Sequence, residues 1–172
     1  MNNVLISLLC LLNLSDIYQF TLPAIGGGSS IPFSDFKGKK ILVVNTASGS
    51  LYTSQYARLE QLYQQYKDKL VIVAIPSNDF QHETGSEQDI KSFVQNNYSI
   101  HYLLAGKASV TGSGACDLYK WLTNGVESGA MTSTVSNDFQ KYLVGTDGHV
   151  IGYFAGAVDP MDPTLQDLIN AQ

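Results

Sequence analysis

Two unbroken apolar runs, Ile41-Leu-Val-Val44 and Leu70-Val-Ile-Val-Ala-Ile75, limit what this chain can become more than any other feature. Strands without polar alternation are buried on both faces, as in parallel sheets. Between them, the spacing predicts a helix from Thr53 to Lys67. Tyr56, Leu59, Leu62, Tyr63 and Tyr66 recur at intervals of three, four and seven, so they form one apolar face. Strand, helix and strand in that order imply a parallel pair joined by a right-handed crossover. Pro76 ends the second run, and Ser77 to Gly85 reads as a loop.

The flanks extend this unit. Ile17-Tyr-Gln-Phe-Thr-Leu22 alternates like a strand, Gly26 to Ser30 supplies turn geometry, and Ile31-Pro-Phe33 can return as a partner, which gives an N-terminal β-hairpin. The glycine triplet is no phosphate loop, because no Lys-Ser/Thr follows and no helix opens there. A second helix is expected from Ser86 to Tyr98, capped by Ser86, with Glu87 and Asp89 in its first turn and Ile90, Phe93 and Val94 facing inward. His101 to Leu104 is a short extended stretch, and Asp117 to Leu122 a short helix. Lys141 to Gly145 and Val150 to Phe154 pair around the turn Thr146 to His149, and Pro163 opens a last helix through Asn170. The expected fold is α/β: a mixed central sheet flanked by helices, with an N-terminal β-hairpin, arranged like the thioredoxin fold.

A length of 172 residues suits one domain, read as 17–172. The formal net charge of -5 and the lack of any basic run argue against nucleic-acid or anionic-membrane partners. No CxxC and no Cys/His spacing matches a zinc site, the three histidines lie far apart, and no cofactor is expected. Residues 1–16 form an apolar leader, whose run Val4 to Leu12 is the length of a signal-peptide core and too short to span a bilayer. We read it as an export signal, which places the mature protein in the periplasm or outside the cell. A short helix docked on the domain, in a cytoplasmic protein, is the alternative: no Lys or Arg precedes the run, and no A-x-A follows. Leu9 before Cys10 is too bulky for a lipoprotein site. With the leader removed, Cys116 is the one cysteine left.

Several segments carry a closer resemblance. They are Lys37-Gly-Lys-Lys-Ile-Leu-Val-Val-Asn-Thr-Ala-Ser48, Thr53-Ser-Gln-Tyr56, Ile75-Pro-Ser-Asn-Asp-Phe80, Asp117-Leu-Tyr-Lys-Trp-Leu122 and Phe139-Gln-Lys-Tyr-Leu-Val-Gly-Thr-Asp-Gly148. Together they resemble the glutathione peroxidase family over residues 17–170, with Ser54 where proline is usual. The short gap between Leu122 and Val135 is similar to the family's monomeric branch, so a monomer is expected.

The resemblance implies a peroxidatic cysteine or selenocysteine where this chain has Ser50. It places the family's glutamine at His82, given one residue deleted after Phe80, and its Trp-Asn pair at Asn137-Asp138. The resolving cysteine of the thioredoxin-dependent branch falls at Val94. Every one of these positions is substituted. A peroxidase needs a thiolate or selenolate that can hold the transferred oxygen and release it to a thiol. A serine hydroxyl stays protonated and has no such oxidation ladder. Asp138 replaces a hydrogen-bond donor with a carboxylate, which only accepts and repels anions.

Three functions follow as expectations. The preferred one is a glutathione peroxidase-like protein without thiol peroxidase chemistry, binding a small molecule or protein at the former active-site surface. The second is a peroxidase that reduces hydroperoxides with glutathione or thioredoxin. The third is a serine hydrolase built on Ser50, His82 and Asp138, although no G-x-S-x-G elbow is present. Purely structural roles stay open beside these: Ser50 as a helix cap, His82 and Glu83 as solvated loop residues, and Asn137-Asp138 as an ordinary turn. Cys116 is then a small buried apolar side chain, and His149 is exposed.

Overall fold

The computed structural model describes residues 15–171, so residues 1–14 of the leader read as 1–16 lie outside the described residues, while its last two, Ser15 and Asp16, lie within them, Ser15 O accepting from Trp121 Nε1 at 3.0 Å. Its centre is a five-stranded mixed sheet. In chain order the strands are β1 (Thr21–Pro23), β2 (Ser30–Pro32), β3 (Lys40–Thr46), β4 (Leu70–Pro76), β5 (Leu103–Leu104), β6 (Lys141–Val144) and β7 (Val150–Phe154). The sheet runs β5-β4-β3-β6-β7, and β1-β2 form a separate antiparallel hairpin. The two apolar runs are β3 and β4, paired in parallel through seven residues from Lys40↔Leu70 to Thr46↔Pro76. β6 is antiparallel to β3, and β7 to β6.

The helices are α1 (Gln55–Tyr66), α2 (Glu87–Tyr98), α3 (Asp117–Thr123), α4 (Gly125–Ser128) and α5 (Pro163–Asn170). Alternation along β3 divides the core into two layers. Leu42 and Val44 pack with Tyr56, Leu59 and Leu62 of α1, Ile90 and Val94 of α2, and Leu165 and Ile169 of α5. Ile41 and Val43 face the other way, toward Leu118, Tyr119 and Trp121 of α3. Each fully buried Leu or Ile contributes about 1.5–3 kcal/mol, so the sheet sandwiched between helices is the main source of stability. The Ser86–Asp89 pair forms a reciprocal capping box at the start of α2, and Asp162 caps α5 with Pro163 in its first turn.

Four expectations need correction. Ile17–Gln19 is a short 3₁₀ turn, because Asp16 accepts the Tyr18 N–H at 3.0 Å and the Ile17 N–H is spent on Gly148 O; only then does β1 begin. α1 opens at Gln55 rather than Thr53, since residues 50–54 form tight turns. α4 lies in a stretch read as a mere gap. His149 is half-buried rather than exposed, packed against Gly129, whose added Cβ would sit 3.2 Å from the His149 Cβ.

Candidate functional site

Three segments converge beyond the C-terminal end of β3. The first is the turn Ala47–Thr53. Its Ser50 N–H reaches Ala47 O at 3.3 Å, and the Thr53 N–H returns to Ser50 O at 3.2 Å. The second is the loop 77–85. His82 O accepts the Gly49 N–H at 2.9 Å, an approach so close that a Cβ on Gly49 would lie 2.9 Å from that oxygen. Glu83 clamps the same turn, its Oε2 accepting from Ser48 N at 2.7 Å and Ser48 Oγ at 3.0 Å. The third is the 136–139 turn. It is pinned to β3 by Phe139 N–H to Asn45 O at 2.6 Å and by Asn45 Nδ2 to Asn137 O at 3.0 Å. Phe139 takes φ +58, a left-handed backbone held by these contacts.

Ser50 is buried, and its Oγ accepts the Tyr52 N–H at 3.2 Å. It therefore caps the turn ahead of α1, while Ser54, the residue before α1, makes no side-chain cap. His82 is half-exposed, and its Nδ1 lies 2.6 Å from Oδ2 of Asp138, which is fully buried. Asp138 Oδ1 has no partner. Asn137 is exposed, and its Oδ1 accepts the Asp138 N–H at 2.8 Å. Of the four candidate positions, the fold thus joins His82, Asp138 and Asn137. No hydrogen bond joins Ser50 Oγ to the His82 ring, so the first link of a serine triad is unmade. Asp138 is no ordinary solvated turn residue, and Val94 is a buried core residue on α2. Cys116 is half-buried ahead of α3, and burial pushes its thiol pKa up, which favours the protonated form.

Two further residues carry the site and were not singled out for it by sequence. Glu83, read as solvated, is almost wholly buried. Burial raises its pKa, the Ser48 hydrogen bonds and Lys107 lower it, and Asp138 raises it again. Lys141 is fully buried on β6, and its Nζ donates to Phe139 O at 2.7 Å, Val158 O at 2.7 Å and Gly156 O at 3.4 Å. Burial draws its pKa down to about 7. Gly156 itself abuts Asp138 O so closely that an added Cβ would overlap that oxygen. Gln55 Nε2 also reaches Gly156 O, at 2.7 Å. Glu83 sits among loop residues that give no signal of burial; Lys141 is flagged only by its place in an apolar strand.

Among the described residues, no group of three or more His, Cys, Asp or Glu could hold a metal ion, and no helix is long and apolar enough to cross a membrane. Beside the Ser50 turn lies a recess of about 250 Å³ bounded by Ser48, His82, Glu83, Asp89, Ile90 and Phe93.

A mixed sheet sandwiched between helix layers, with a loop–helix junction at the end of its central parallel strand, defines a thioredoxin-like α/β protein. A thiol:disulfide interchange protein of the thioredoxin family from Chlorobium tepidum shares this fold, with a TM-score of 0.64 at 14% identity over 88% of this chain and 90% of that one. The glutathione peroxidase family profile matches residues 17–123. A glutathione peroxidase from Lactococcus lactis is 37% identical over 158 residues, covering 90% of this chain and 99% of the relative. A glutathione peroxidase-like peroxiredoxin, GPX5 of Chlamydomonas reinhardtii, is 36% identical over 84% of this chain and 91% of its own length. A crystal structure of Trgpx in apo form superposes with a TM-score of 0.70 at 32% identity, over 91% of this chain and 94% of that one. The chain belongs to the glutathione peroxidase family.

Proposed function

We propose that this member of the family has given up thiol peroxidase chemistry and acts as a binding or accessory protein through the surface around Ser50. The observation that carries the reading is chemical: the residue at the turn before α1 is Ser50, and the loop residue His82, whose O accepts from Gly49 N–H, holds the buried carboxylate of Asp138. A peroxide oxygen must be transferred to an atom that accepts it reversibly, which sulphur and selenium do and a hydroxyl oxygen does not. A buried carboxylate also disfavours any second anion close by. Val94 offers no resolving thiol, and Cys116 has its pKa raised by burial rather than lowered.

The test is a coupled assay with hydrogen peroxide or a lipid hydroperoxide and either glutathione or thioredoxin as donor. No turnover above the uncatalysed rate is expected. Turnover that survives alkylation of Cys116 overturns the reading. It would establish the second one, a hydroperoxide-reducing enzyme, which the names of the glutathione peroxidase and peroxiredoxin relatives support. We further propose that the protein is a monomer, exported if its leader is a signal peptide, with no nucleic-acid partner.

A further inference from the structure

The chain has no basic run, yet the fold gathers four of its ten Lys and Arg residues at one corner, in a protein of net charge -5. Lys39 and Lys40 stand at the start of β3, and Lys67 and Lys69 just ahead of β4. The Lys40 N–H donates to Lys69 O at 3.0 Å, and Lys39 Nζ donates to Lys67 O at 3.4 Å. Burial, and then the like charge of Lys69, lower the Lys40 pKa. Lys40 spends its ammonium on the end of α5, with Leu168 O at 2.7 Å and Ile169 O at 3.2 Å, and Lys69 Nζ donates to Asn170 Oδ1 at 2.7 Å. Lys39 is half-exposed and Lys67 exposed. Among the described residues, the ion pairs of Lys and Arg are Arg58–Asp159 and Lys120–Asp117, so neither Lys39 nor Lys67 meets a carboxylate. Both border a cavity of about 240 Å³. It exists because β5 meets β4 only at Val73↔Leu103 and Ala74↔Leu104, which leaves residues 70–72 without a neighbouring strand on that side among the described residues. Its walls are Phe36, Tyr63, Val71 and Leu103, all half-buried, and Tyr102, whose ring meets Tyr63 edge-on at 6.4 Å between centroids. The lining also holds one carboxylate, the exposed Asp35, and His101, whose Nδ1 lies 2.8 Å from Glu60 Oε1. Half-buried apolar walls gain by shedding water, and two ammoniums without a counter-charge attract an anion.

We propose that this notch binds a small aromatic carboxylate, its ring system between Phe36, Tyr63, Val71 and Leu103 and its carboxylate shared by Lys39 and Lys67. The cavity volume admits a two-ring acid. The aromatic walls favour a flat ring, which they meet in offset or edge-to-face contact. Two point-charge ammoniums opposite one acid suit a single negative charge. A dianion such as phosphate would meet Asp35 and would find no guanidinium fork to hold it. The site lies at the opening end of β3, a seven-residue strand about 20 Å long, whereas the Ser50 turn follows its other end. It is therefore separate from the surface around Ser50 and does not depend on the function proposed for it.

The experiment titrates the ¹⁵N-labelled full-length protein with naphthoate and with naphthamide, which have the same ring system and differ in charge, following the Val71, Ile72 and Leu103 amides. Naphthoate should give saturable shifts there and bind about fivefold or more tightly than the amide, the gain expected from two solvent-facing ammoniums. Raising the ionic strength to about 1 M, where the Debye length is about 3 Å, should erase most of that preference. The double variant Lys39→Gln with Lys67→Gln changes side chains outside the core and should bind both ligands equally, whereas Lys120→Gln on α3 should leave the preference intact. Hexanoate, which carries the charge without the ring, should bind severalfold more weakly than naphthoate. The absence of saturable shifts, equal binding of naphthoate and naphthamide to the wild type, an unchanged preference in the double variant, hexanoate binding as tightly as naphthoate, or shifts confined to the Ser48 and His82 amides overturns the proposal.

Discussion

Replacing Lys141 by methionine should remove a pH dependence of folding stability that can be worked out in advance. The amine is fully buried and its pKa is drawn from 10.5 down to about 7, chiefly by loss of water, with Asp159 pulling it back up. The carbonyl cage of Phe139, Gly156 and Val158 favours the charged form and works in the same direction as Asp159. The folded state therefore releases the Lys141 proton at a lower pH than the unfolded chain does. Between about 7 and 10.5 the unfolded chain binds more protons, so stability rises with pH. Below that window both states are protonated and the whole penalty of burying the charge is present. The slope approaches about 1.4 kcal/mol per pH unit, so about 2–3 kcal/mol accumulates over two units. Urea unfolding followed by the fluorescence of Trp121 at pH 7, 8 and 9 measures it. The stability of wild type minus that of Lys141→Met should grow by roughly that slope. Other shifted groups, such as Lys40 and Cys116, titrate in both proteins and cancel in the difference. A difference that stays flat from pH 7 to 9 refutes the reasoning.

Two further variants probe the site's construction. Gly156→Ala should destabilise the fold by about 2 kcal/mol or more, since its Cβ would press on Asp138 O and no flexible side-chain tip can yield; the denaturation midpoint reports it. Ser50→Cys alone should restore little peroxidase activity, and its thiol should react slowly with iodoacetamide. Adding Asp138→Asn should speed that alkylation by about tenfold at neutral pH by removing the repelling carboxylate, and equal rates would show that Asp138 does not govern the site.

Periodicity and apolar runs were enough to read β3, α1 and β4, because burial on both faces of a strand and along one face of a helix leaves a direct trace in residue order. The cap at Ser86 and the start of α5 at Pro163 were legible for the same local reason: the residues that make them lie within one turn. The opening 3₁₀ turn was not, for although its Asp16 cap is local, the Ile17 N–H is taken by Gly148 from the far end of the chain. Ser50, His82, Asn137 and Asp138 could be picked out by resemblance, but not which of them touch. Burial of Glu83 against Ser48 depends on a contact between residues 35 apart, and that of Lys141 on the carbonyls of Gly156 and Val158, 15 and 17 residues further along in the loop after β7. Residue order alone thus determined the two parallel strands, the helices α1, α2, α3 and α5, the β6–β7 hairpin and the presence of serine rather than a sulphur residue at position 50. Only the packed structure decided that His82 serves Asp138 rather than Ser50, because side-chain partners are chosen by distance in space, to which spacing along the chain is blind.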